Sequence, residues 1–202
     1  MSRLLQSLRN FVKSCEAAEA DYVVLGGFAL SAYKVVRATS DIDVGLATGL
    51  HEKIEKVISA MEKEKYDFPN RRPGSTSAML LAVHPMLADL EIWLHPDGVV
   101  WDSETLKRRL RATYGVGTDA FTAYVLSPED FIVNKLSRPD RSALDELDVV
   151  KVLVAQWENL DREYLERRAR QARVWDLAEA MVGRVSASRA QSKPRDRDFS
   201  RL

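Results

Sequence analysis

A glycine pair that follows a short apolar run, with two aspartates further along, constrains the fold of this chain more than any other feature. Residues Tyr22 to Leu25 are apolar and rich in β-branched side chains, which indicates a buried strand ending at Gly26-Gly27. The residues from Phe28 to Val35 have helical spacing. The sequence therefore predicts a tight turn at a helix N-terminus, where free backbone N–H groups bind anions such as phosphate.

The acidic pair Asp41 and Asp43 comes next. Ile42 and Val44 alternate with the acids, which predicts a strand with both carboxylates on one face. Two neighbouring carboxylates repel each other, and burying them is costly unless a cation neutralises them. Carboxylate oxygens prefer the hard cation Mg²⁺, with Mn²⁺ as the alternative, so the pair predicts metal ligands for phosphoryl or nucleotidyl transfer. The other interpretation is a pair of exposed acids on an edge strand or at a helix cap.

The order hydrophobic-Gly-Gly, helix, Asp-x-Asp resembles the signature of the DNA polymerase β-type nucleotidyltransferase superfamily. The string GGFALSAYKVVRATSDIDV is similar to its abortive-infection and toxin-related branch, in which a basic residue and a Thr precede the acids. For Arg37, a salt bridge to a nearby carboxylate is the alternative role. The resemblance implies nucleotide binding by Gly26, Gly27, Ser31, Arg37 and Thr39.

The superfamily also uses a third carboxylate from a later strand. Ala78 to Val83 and Leu87 to Leu94 are predicted to be two strands around a turn, and Asp89 and Glu91 share one face of the second. By resemblance Asp89 is the favoured metal ligand beside Asp41 and Asp43, because the family's third acid usually precedes a hydrophobic run, and Glu91 is its competitor. We expect this acid to help activate the acceptor hydroxyl. The alternative is the solvated face of an amphipathic strand.

The strings SPEDFIVNKL and RSALDELDVVKVL resemble the C-terminal half of the family. The matching positions are Lys135, Arg141, Asp145 and Asp148. Relatives commonly carry a basic residue just before the first of these acids, where this chain has Leu144. The resemblance implies that Lys135 binds nucleotide phosphates, and the alternative is a surface lysine that packs its alkyl chain.

These elements together predict an α+β fold, a nucleotidyltransferase-like mixed β-sheet flanked by helices and followed by a helical C-terminal half. We expect a catalytic domain over 1–126, a helical region over 127–185 and a disordered basic tail over 186–202. The N-terminal helix is predicted over about 2–18, and a variable section over about 99–117 that, with a strand near 121–126, completes the sheet. Three C-terminal helices are predicted over about 128–137, 140–157 and 161–182.

Charge is balanced over the 202 residues, with 30 Lys or Arg and 30 Asp or Glu, so attraction to nucleic acid would have to be local. Lys107, Arg108, Arg109 and Arg111 form one basic cluster, and residues 162–202 hold eleven basic residues against six acids. These clusters favour either binding of RNA phosphates or a solvated, solubilising surface. Cys15 is the single cysteine, and no apolar run of membrane-spanning length occurs, which indicates a cytoplasmic protein.

The predicted function is Mg²⁺-dependent transfer of an NMP group from a nucleoside triphosphate, ATP among them, to an acceptor hydroxyl. RNA, including tRNA, is the candidate acceptor, in a toxin–antitoxin setting with an antitoxin-type protein partner. Two alternatives stay open. The chain could be a catalytically silent nucleotide- or partner-binding protein of the same fold, or a transferase that modifies an antibiotic-type small molecule or a protein.

Overall fold

The computed structural model describes residues 2–47, 49, 51–72 and 77–192, without the side chain of residue 192. The strands within these ranges are β1 (Tyr22–Val24), β2 (Asp43–Leu46), β3 (Met79–Ala82), β4 (Leu90–Trp93), β5 (Leu110–Tyr114) and β6 (Phe121–Val125). The helices are α1 (Arg3–Ala17), α2 (Gly26–Ala29), α3 (His51–Lys63), α4 (Ser103–Arg108), α5 (Pro128–Ser137), α6 (Ala143–Gln156), α7 (Arg162–Gln171) and α8 (Trp175–Ser192). None of these helices has both the length and the apolar character needed to cross a membrane.

The strands form one mixed sheet in the order β3-β4-β2-β1-β6-β5. The central strand β2 is antiparallel to β1 and parallel to β4, and β1 is parallel to β6. The outer strands β3 and β5 are antiparallel to β4 and β6. A mixed sheet flanked by helices, with four helices after β6, confirms the predicted fold class.

Burial explains why β1 and β2 occupy the centre of the sheet. Val23 and Val24 of β1 and Val44 and Leu46 of β2 are fully buried, as the apolar runs around the glycine and aspartate motifs predict. The N–H of Leu25 donates to the carbonyl of Asp43 at 2.8 Å. The two motifs, which are distant in sequence, therefore meet at one end of the sheet.

The C-terminal helices pack directly on this catalytic half. The Tyr33 hydroxyl donates to the carbonyl of Leu126 at 2.9 Å, and the Gln156 side-chain amide donates to the carbonyl of Tyr33 at 2.8 Å. Helix α5 is buried from Pro128 to Leu136, and the Ser127 hydroxyl caps its N-terminus by accepting from the N–H of Asp130. The buried core is continuous between the two halves, and the division into domains at 126 stays a prediction.

Several predicted boundaries are wrong for identifiable reasons. The helix expected over 161–182 is broken into α7 and α8 at Arg173, which has a left-handed φ of 61°. Helix α8 extends to Ser192, so residues 186–192 of the expected tail are helical, whereas 193–202 lie outside the described residues. The variable section, for which no element was specified, contains α4, whose N-cap is Asp102, and the edge strand β5.

Candidate active site

Two acids from neighbouring strands stand side by side at one end of the sheet. Asp43 opens β2, and the parallel register with β4 places it directly beside Glu91. The N–H of Glu91 donates to the carbonyl of Ile42 at 2.9 Å, which fixes this register. Asp41, Asp43 and Glu91 line one hollow of about 270 Å³. The structure therefore brings together three of the carboxylates that the sequence singled out.

The surroundings of these acids disfavour their ionised forms. Burial raises the pKa of Asp43, the charge of Asp41 raises it further, and Lys135 and Arg138 offset only part of the effect. Burial and the adjacent Asp43 also raise the pKa of Glu91. A cation bound between the Asp43 and Glu91 carboxylates would lower both pKa values again, because it stabilises the ionised form of each acid.

The donor set fits a hard divalent cation in its chemistry. Asp43 and Glu91 offer adjacent carboxylate oxygens, and Asp41 lines the same hollow. The Asp41 side chain is exposed and accepts a hydrogen bond from the Ser40 hydroxyl at 3.0 Å. As the side chains are placed, no three His, Cys, Asp or Glu groups within the described ranges converge into a metal cluster. Asp41 must therefore turn inward for all three acids to ligate one ion.

Asp89 lies apart from this pair. It precedes β4, it is exposed, and its Oδ1 accepts from the N–H of His84 at 3.2 Å. The strand expected to begin at Leu87 begins at Leu90, and its register with β2 brings Glu91, not Asp89, beside Asp43. The preference for Asp89 as the third acid is therefore wrong in geometry, while the catalytic role of Glu91 stays a prediction.

The glycine pair is required by close approach to the acidic strand. Gly26 has a φ of +55°, and a Cβ built on it would lie 2.0 Å from Oδ2 of Asp43. A Cβ on Gly27 would lie 2.6 Å from Cβ of Thr39. The helix that follows is shorter than expected, since α2 ends at Ala29 and a 3₁₀ turn continues to Tyr33. The turn nevertheless packs against Asp43, as its predicted role requires.

Lys135 and Arg37 line the same hollow and share one acidic partner, Asp148. Lys135 is 4% exposed, so the alternative of a surface lysine is wrong. Its Nζ lies 2.7 Å from Oδ1 of Asp145 and 3.5 Å from Oδ2 of Asp148. Arg37 Nη1 lies 2.5 Å from the same Oδ2 of Asp148, which is the salt bridge considered as its alternative role.

Asp145 and Asp148 differ sharply from the acids of the sheet, because both have cationic partners. Burial opposes the ionisation of Asp145, but hydrogen bonds from Lys135 and Ser142 outweigh it and lower its pKa to about 2. Asp145 also completes the capping box with Ser142 that begins α6. Asp148 is fully buried, and its Oδ1 has no hydrogen-bond partner in the described part of the chain.

Ser31 and Thr39, the other predicted phosphate contacts, lie at the rim. The Ser31 hydroxyl donates to the carbonyl of Phe28 at 3.0 Å, and it lines a neighbouring hollow of about 380 Å³ rather than the carboxylate hollow. The Thr39 hydroxyl donates to the carbonyl of Asp41 at 3.2 Å, and Thr39 lines both hollows. Thr39 thus orders the loop that carries Asp41.

A further hollow of about 280 Å³ adjoins the carboxylates on the side of the C-terminal helices. It shares Gly26, Asp43, Lys135, Arg138 and Asp140 with the first hollow. The lining residues that were not predicted include Trp93, Pro96, Asp97, Asn134, Arg138 and Asp140. Trp93 was detectable, because it lies two residues beyond Glu91 on the same strand face. The others come from loops and from α5, where the sequence carries no such signal.

Six arginines of the two predicted clusters form ion pairs within the described residues. Arg168 Nη2 lies 2.7 Å from Oδ1 of Asp102, and this hydrogen bond lowers the pKa of Asp102 to about 2. The other ion pairs are Arg108–Asp161, Arg109–Asp21, Arg167–Glu104, Arg170–Glu166 and Arg189–Glu158. The basic residues from 193 onward lie outside the described residues. RNA binding by these clusters stays a prediction.

Comparison with solved structures places this geometry in a known fold. The solution structure of the antibiotic-resistance factor ANT(2'')-Ia matches at a TM-score of 0.55 and 15% identity, over 93% of this chain and 95% of that chain. Its complex with adenylyl-2''-tobramycin matches at 0.53 and 14%, over 84% and 96%. The lincosamide antibiotic adenylyltransferase LnuA, bound to lincomycin, matches at 0.51 and 18%, over 73% and 94%. At such identities the likeness concerns the fold alone.

The sequence comparison is more specific. No curated protein matches the chain. Residues 2–189 match the family described as nucleotidyltransferase of unknown function (DUF6036). This match confirms the predicted superfamily and the predicted enzyme class, while the abortive-infection and toxin-related branch stays a prediction. The chain belongs to the DUF6036 family of nucleotidyltransferases.

Proposed function

We propose that this chain transfers an NMP group from a nucleoside triphosphate to an acceptor hydroxyl in a reaction that depends on Mg²⁺. The observation that carries the proposal is the pair Asp43 and Glu91, which lie side by side with raised pKa values. The hollow that they line also contains the cations Arg37, Lys135 and Arg138. Two adjacent, partly buried carboxylates lower the stability of the folded protein when both are ionised. A bound divalent cation would remove this repulsion. Mg²⁺, replaceable by Mn²⁺, would be held by Asp41, Asp43 and Glu91, and it would neutralise charge developing on the phosphates.

The triphosphate would lie against the glycine turn. Gly26 and Gly27 let the phosphates approach the backbone closely, and the neighbouring cations Arg37 and Lys135 supply positive charge. Both cations are paired with Asp145 or Asp148, so the phosphates would share them with these acids. The acids hold the two cations in place before the nucleotide binds.

The chemical step follows from the position of Glu91. The acceptor oxygen attacks the α-phosphorus, the bond from that phosphorus to the bridging oxygen breaks, and pyrophosphate leaves. Glu91, which stands beside Asp43 at the end of the sheet, accepts a hydrogen bond from the attacking hydroxyl and receives its proton. Arg37 and Lys135 stabilise the negative charge that accumulates on pyrophosphate.

The finer parts of the function stay proposals. ATP as donor, RNA as acceptor, the toxin–antitoxin setting with its protein partner and the cytoplasmic location have support from sequence resemblance and composition only. ANT(2'')-Ia and LnuA are described as acting in antibiotic resistance and antibiotic adenylylation, respectively. They support a small-molecule acceptor as the second candidate. The intact carboxylate pair argues against a catalytically silent protein.

The test is pyrophosphate release with each α-labelled nucleoside triphosphate, with Mg²⁺ or EDTA and several acceptor pools. We expect release in the wild type with Mg²⁺, and a loss of about 1000-fold or more in Asp43→Asn, which corresponds to several kcal/mol of lost charge stabilisation. Asp176→Asn on the exposed face of α8 is the matched control and should retain activity. Release that persists in Asp43→Asn, or no release with any triphosphate, would contradict the proposal.

A further inference from the structure

The hollow of about 280 Å³ beside the carboxylates contains an aromatic side chain that the proposed reaction does not use. This hollow, here called the Trp93 hollow, is lined by Trp93, Pro96, Asn134 and Pro139 in addition to residues that it shares with the carboxylate hollow. Trp93 lies on β4 and is partly buried against the core, which restricts the motion of its ring. Because every nucleobase has a π-face, an aromatic side chain at a cavity wall suits a base.

The Trp93 hollow and the carboxylate hollow meet along a common wall. Gly26, Asp43, Lys135 and Arg138 line both of them. Gly26 belongs to the turn proposed to receive the phosphates, and Asp43 is a proposed metal ligand. A nucleotide whose phosphates lie at this wall can therefore extend its other half into the Trp93 hollow.

Arg138 is the least tightly paired cation at this wall. Its Nε lies 3.3 Å from Oδ1 of Asp140, and its Nη1 lies 3.7 Å from Oδ1 of Asp145. Lys135, by contrast, approaches the same Oδ1 of Asp145 to 2.7 Å. Loose ion pairs leave donors of the guanidinium available, so Arg138 can bind a phosphate oxygen where the two hollows meet.

The position of Glu91 shows which substrate belongs in the Trp93 hollow. Glu91 lines the carboxylate hollow but is not among the described residues that line the Trp93 hollow. The acceptor hydroxyl must reach Glu91 to transfer its proton, so the acceptor does not belong in the Trp93 hollow. The part of the donor that lies beyond its α-phosphate is the nucleoside, which leaves this hollow to the ribose and the base.

The polar groups of the Trp93 hollow favour one class of base. Asn134 is buried, and its Nδ2 donates to the carbonyl of Asp97 at 2.8 Å, which leaves Oδ1 of the amide as an acceptor. The carboxylate of Asp97, which lines the same hollow, is a second acceptor. Adenine and cytosine present an exocyclic amine to such acceptors, whereas guanine and uracil present a carbonyl oxygen at the corresponding position.

We infer that the Trp93 hollow binds the base of the donor triphosphate, with the base stacked on Trp93 and the exocyclic amine of adenine or cytosine donating to Asn134 and Asp97. The inference rests on the proposed function and deepens it by naming the class of base and the residues that select it. Trp93 is a positioning residue, and Asn134 and Asp97 are specificity residues, because none of the three touches the reacting atoms.

The first test measures binding without reaction. The α,β-methylene analogues of ATP, CTP, GTP and UTP cannot release pyrophosphate, and each is titrated with Mg²⁺ while tryptophan fluorescence is recorded. We expect the ATP analogue to quench the wild type and this quench to be lost in Trp93→Phe. Trp93→Leu, which removes the aromatic face, should raise the Kd about tenfold. Trp157→Phe is the matched control and should keep the quench, because the Trp157 ring packs under Arg162, away from both hollows.

The second test measures the choice of base and leaves the packing intact. The wild type should bind the ATP and CTP analogues at least tenfold more tightly than the GTP and UTP analogues. Asp97→Asn keeps the shape of the side chain but replaces one acceptor oxygen by a donor, so it should reduce this preference by roughly threefold or more. Asp176→Asn is again the control and should leave the preference unchanged.

The outcomes separate this inference from the proposed function. No quench in the wild type, a quench that persists in Trp93→Phe, or equal affinity for the four analogues would overturn the inference. If pyrophosphate release still depended on Asp43, the proposed function would stand. The expected quench and base preference without pyrophosphate release from any triphosphate would support the base site and contradict the proposed transfer. Neither binding nor release in any arm would overturn both.

Discussion

Two pairs of acids, one at the end of the sheet and one on α6, have opposite electrostatic surroundings. Asp43 and Glu91 lie beside each other at the end of the sheet, and burial raises the pKa of each. Asp145 and Asp148 lie on α6, where Lys135 contacts both, and the pKa of Asp145 is lowered to about 2. The positive charge near the first pair does not offset the cost of its burial. The second pair forms ion pairs with Lys135 and Arg37.

This difference indicates two roles. Asp43 and Glu91 are expected to bind a cation, whereas Asp145 and Asp148 hold the neighbouring cationic side chains in position. A protein retains uncompensated carboxylates at a cost in stability when they have a function to perform, and perturbed pKa values cluster at such sites. Compensated carboxylates such as Asp148 hold neighbouring side chains in place. Changes in the first pair should therefore remove activity and spare the fold, and changes in the second should do more harm to the fold.

Glu91→Gln should give the largest effect on activity. We expect a loss of about 1000-fold in kcat with no loss of unfolding free energy, because the change removes one of two repelling charges and keeps the shape. Pyrophosphate release and urea unfolding measure the two quantities. A fall in stability as large as the fall in activity would mean that Glu91 is structural, which would break the comparison.

Asp148→Asn should give the largest effect on stability. Its carboxylate is buried between Arg37 and Lys135, and breaking a buried ion pair costs about 3 kcal/mol. We also expect the KM for the nucleotide to rise about tenfold, because both cations lose the acid that aims them. The control is Glu158→Gln, which breaks an exposed ion pair with Arg189 and should cost less than about 1 kcal/mol. Equal costs in the two variants would contradict this account of Asp148.

Gly26→Ala tests how closely the turn must approach Asp43. Gly117 is a matched control, because its φ of +57° is similar to the +55° of Gly26 but a Cβ there would meet nothing within 4 Å. Both variants should lose about 1 kcal/mol from backbone strain. Only Gly26→Ala should also lose activity, by roughly tenfold or more, since its Cβ displaces the Asp43 carboxylate. Full activity in Gly26→Ala would show that the contact is dispensable.

The smallest effect concerns pH and the metal-free protein. Carboxyl pKa values raised by folding contribute stability that is lost as pH rises from about 4, the unfolded value, through the folded value. As pH rises above about 4 in EDTA, the Tm of the wild type should therefore fall relative to that of Asp43→Asn. The lowered pKa values of Asp102 and Asp145 act in the opposite sense, and their contribution is lost below about pH 4. Parallel Tm curves for the two proteins would contradict the predicted strain.

The sequence predicted the parts of the site that depend on local pattern. Gly26-Gly27 and the helix that begins at Pro128 follow from turn and helix-start signals within a few residues. The strand expected to carry both Asp41 and Asp43 on one face begins only at Asp43, so that part of the prediction is wrong. The choice between Asp89 and Glu91 could not be made, because it depends on which residue of β4 pairs with Asp43. Asp89 and Glu91 are two residues apart, so a strand pattern places both on the same face. Only the pairing register between β2 and β4 shows which of them lies beside Asp43.

Charge pairing was the least predictable property. Arginines that form a basic cluster in the sequence, such as Arg108 and Arg168, meet acids about sixty residues away in the chain, at Asp161 and Asp102. Net charge over a segment says nothing of these partners. The break between α7 and α8 was missed for a similar reason, because Arg173 carries no glycine or proline signal for its left-handed conformation.

The most direct test of the contrast between the two pairs is Mn²⁺ binding, followed by electron paramagnetic resonance without nucleotide. The account predicts that the wild type binds Mn²⁺, that folded Asp148→Asn binds it with similar affinity, and that Asp43→Asn binds it at least tenfold more weakly. Wild-type affinity in Asp43→Asn would contradict the assignment of the uncompensated carboxylates as the cation site.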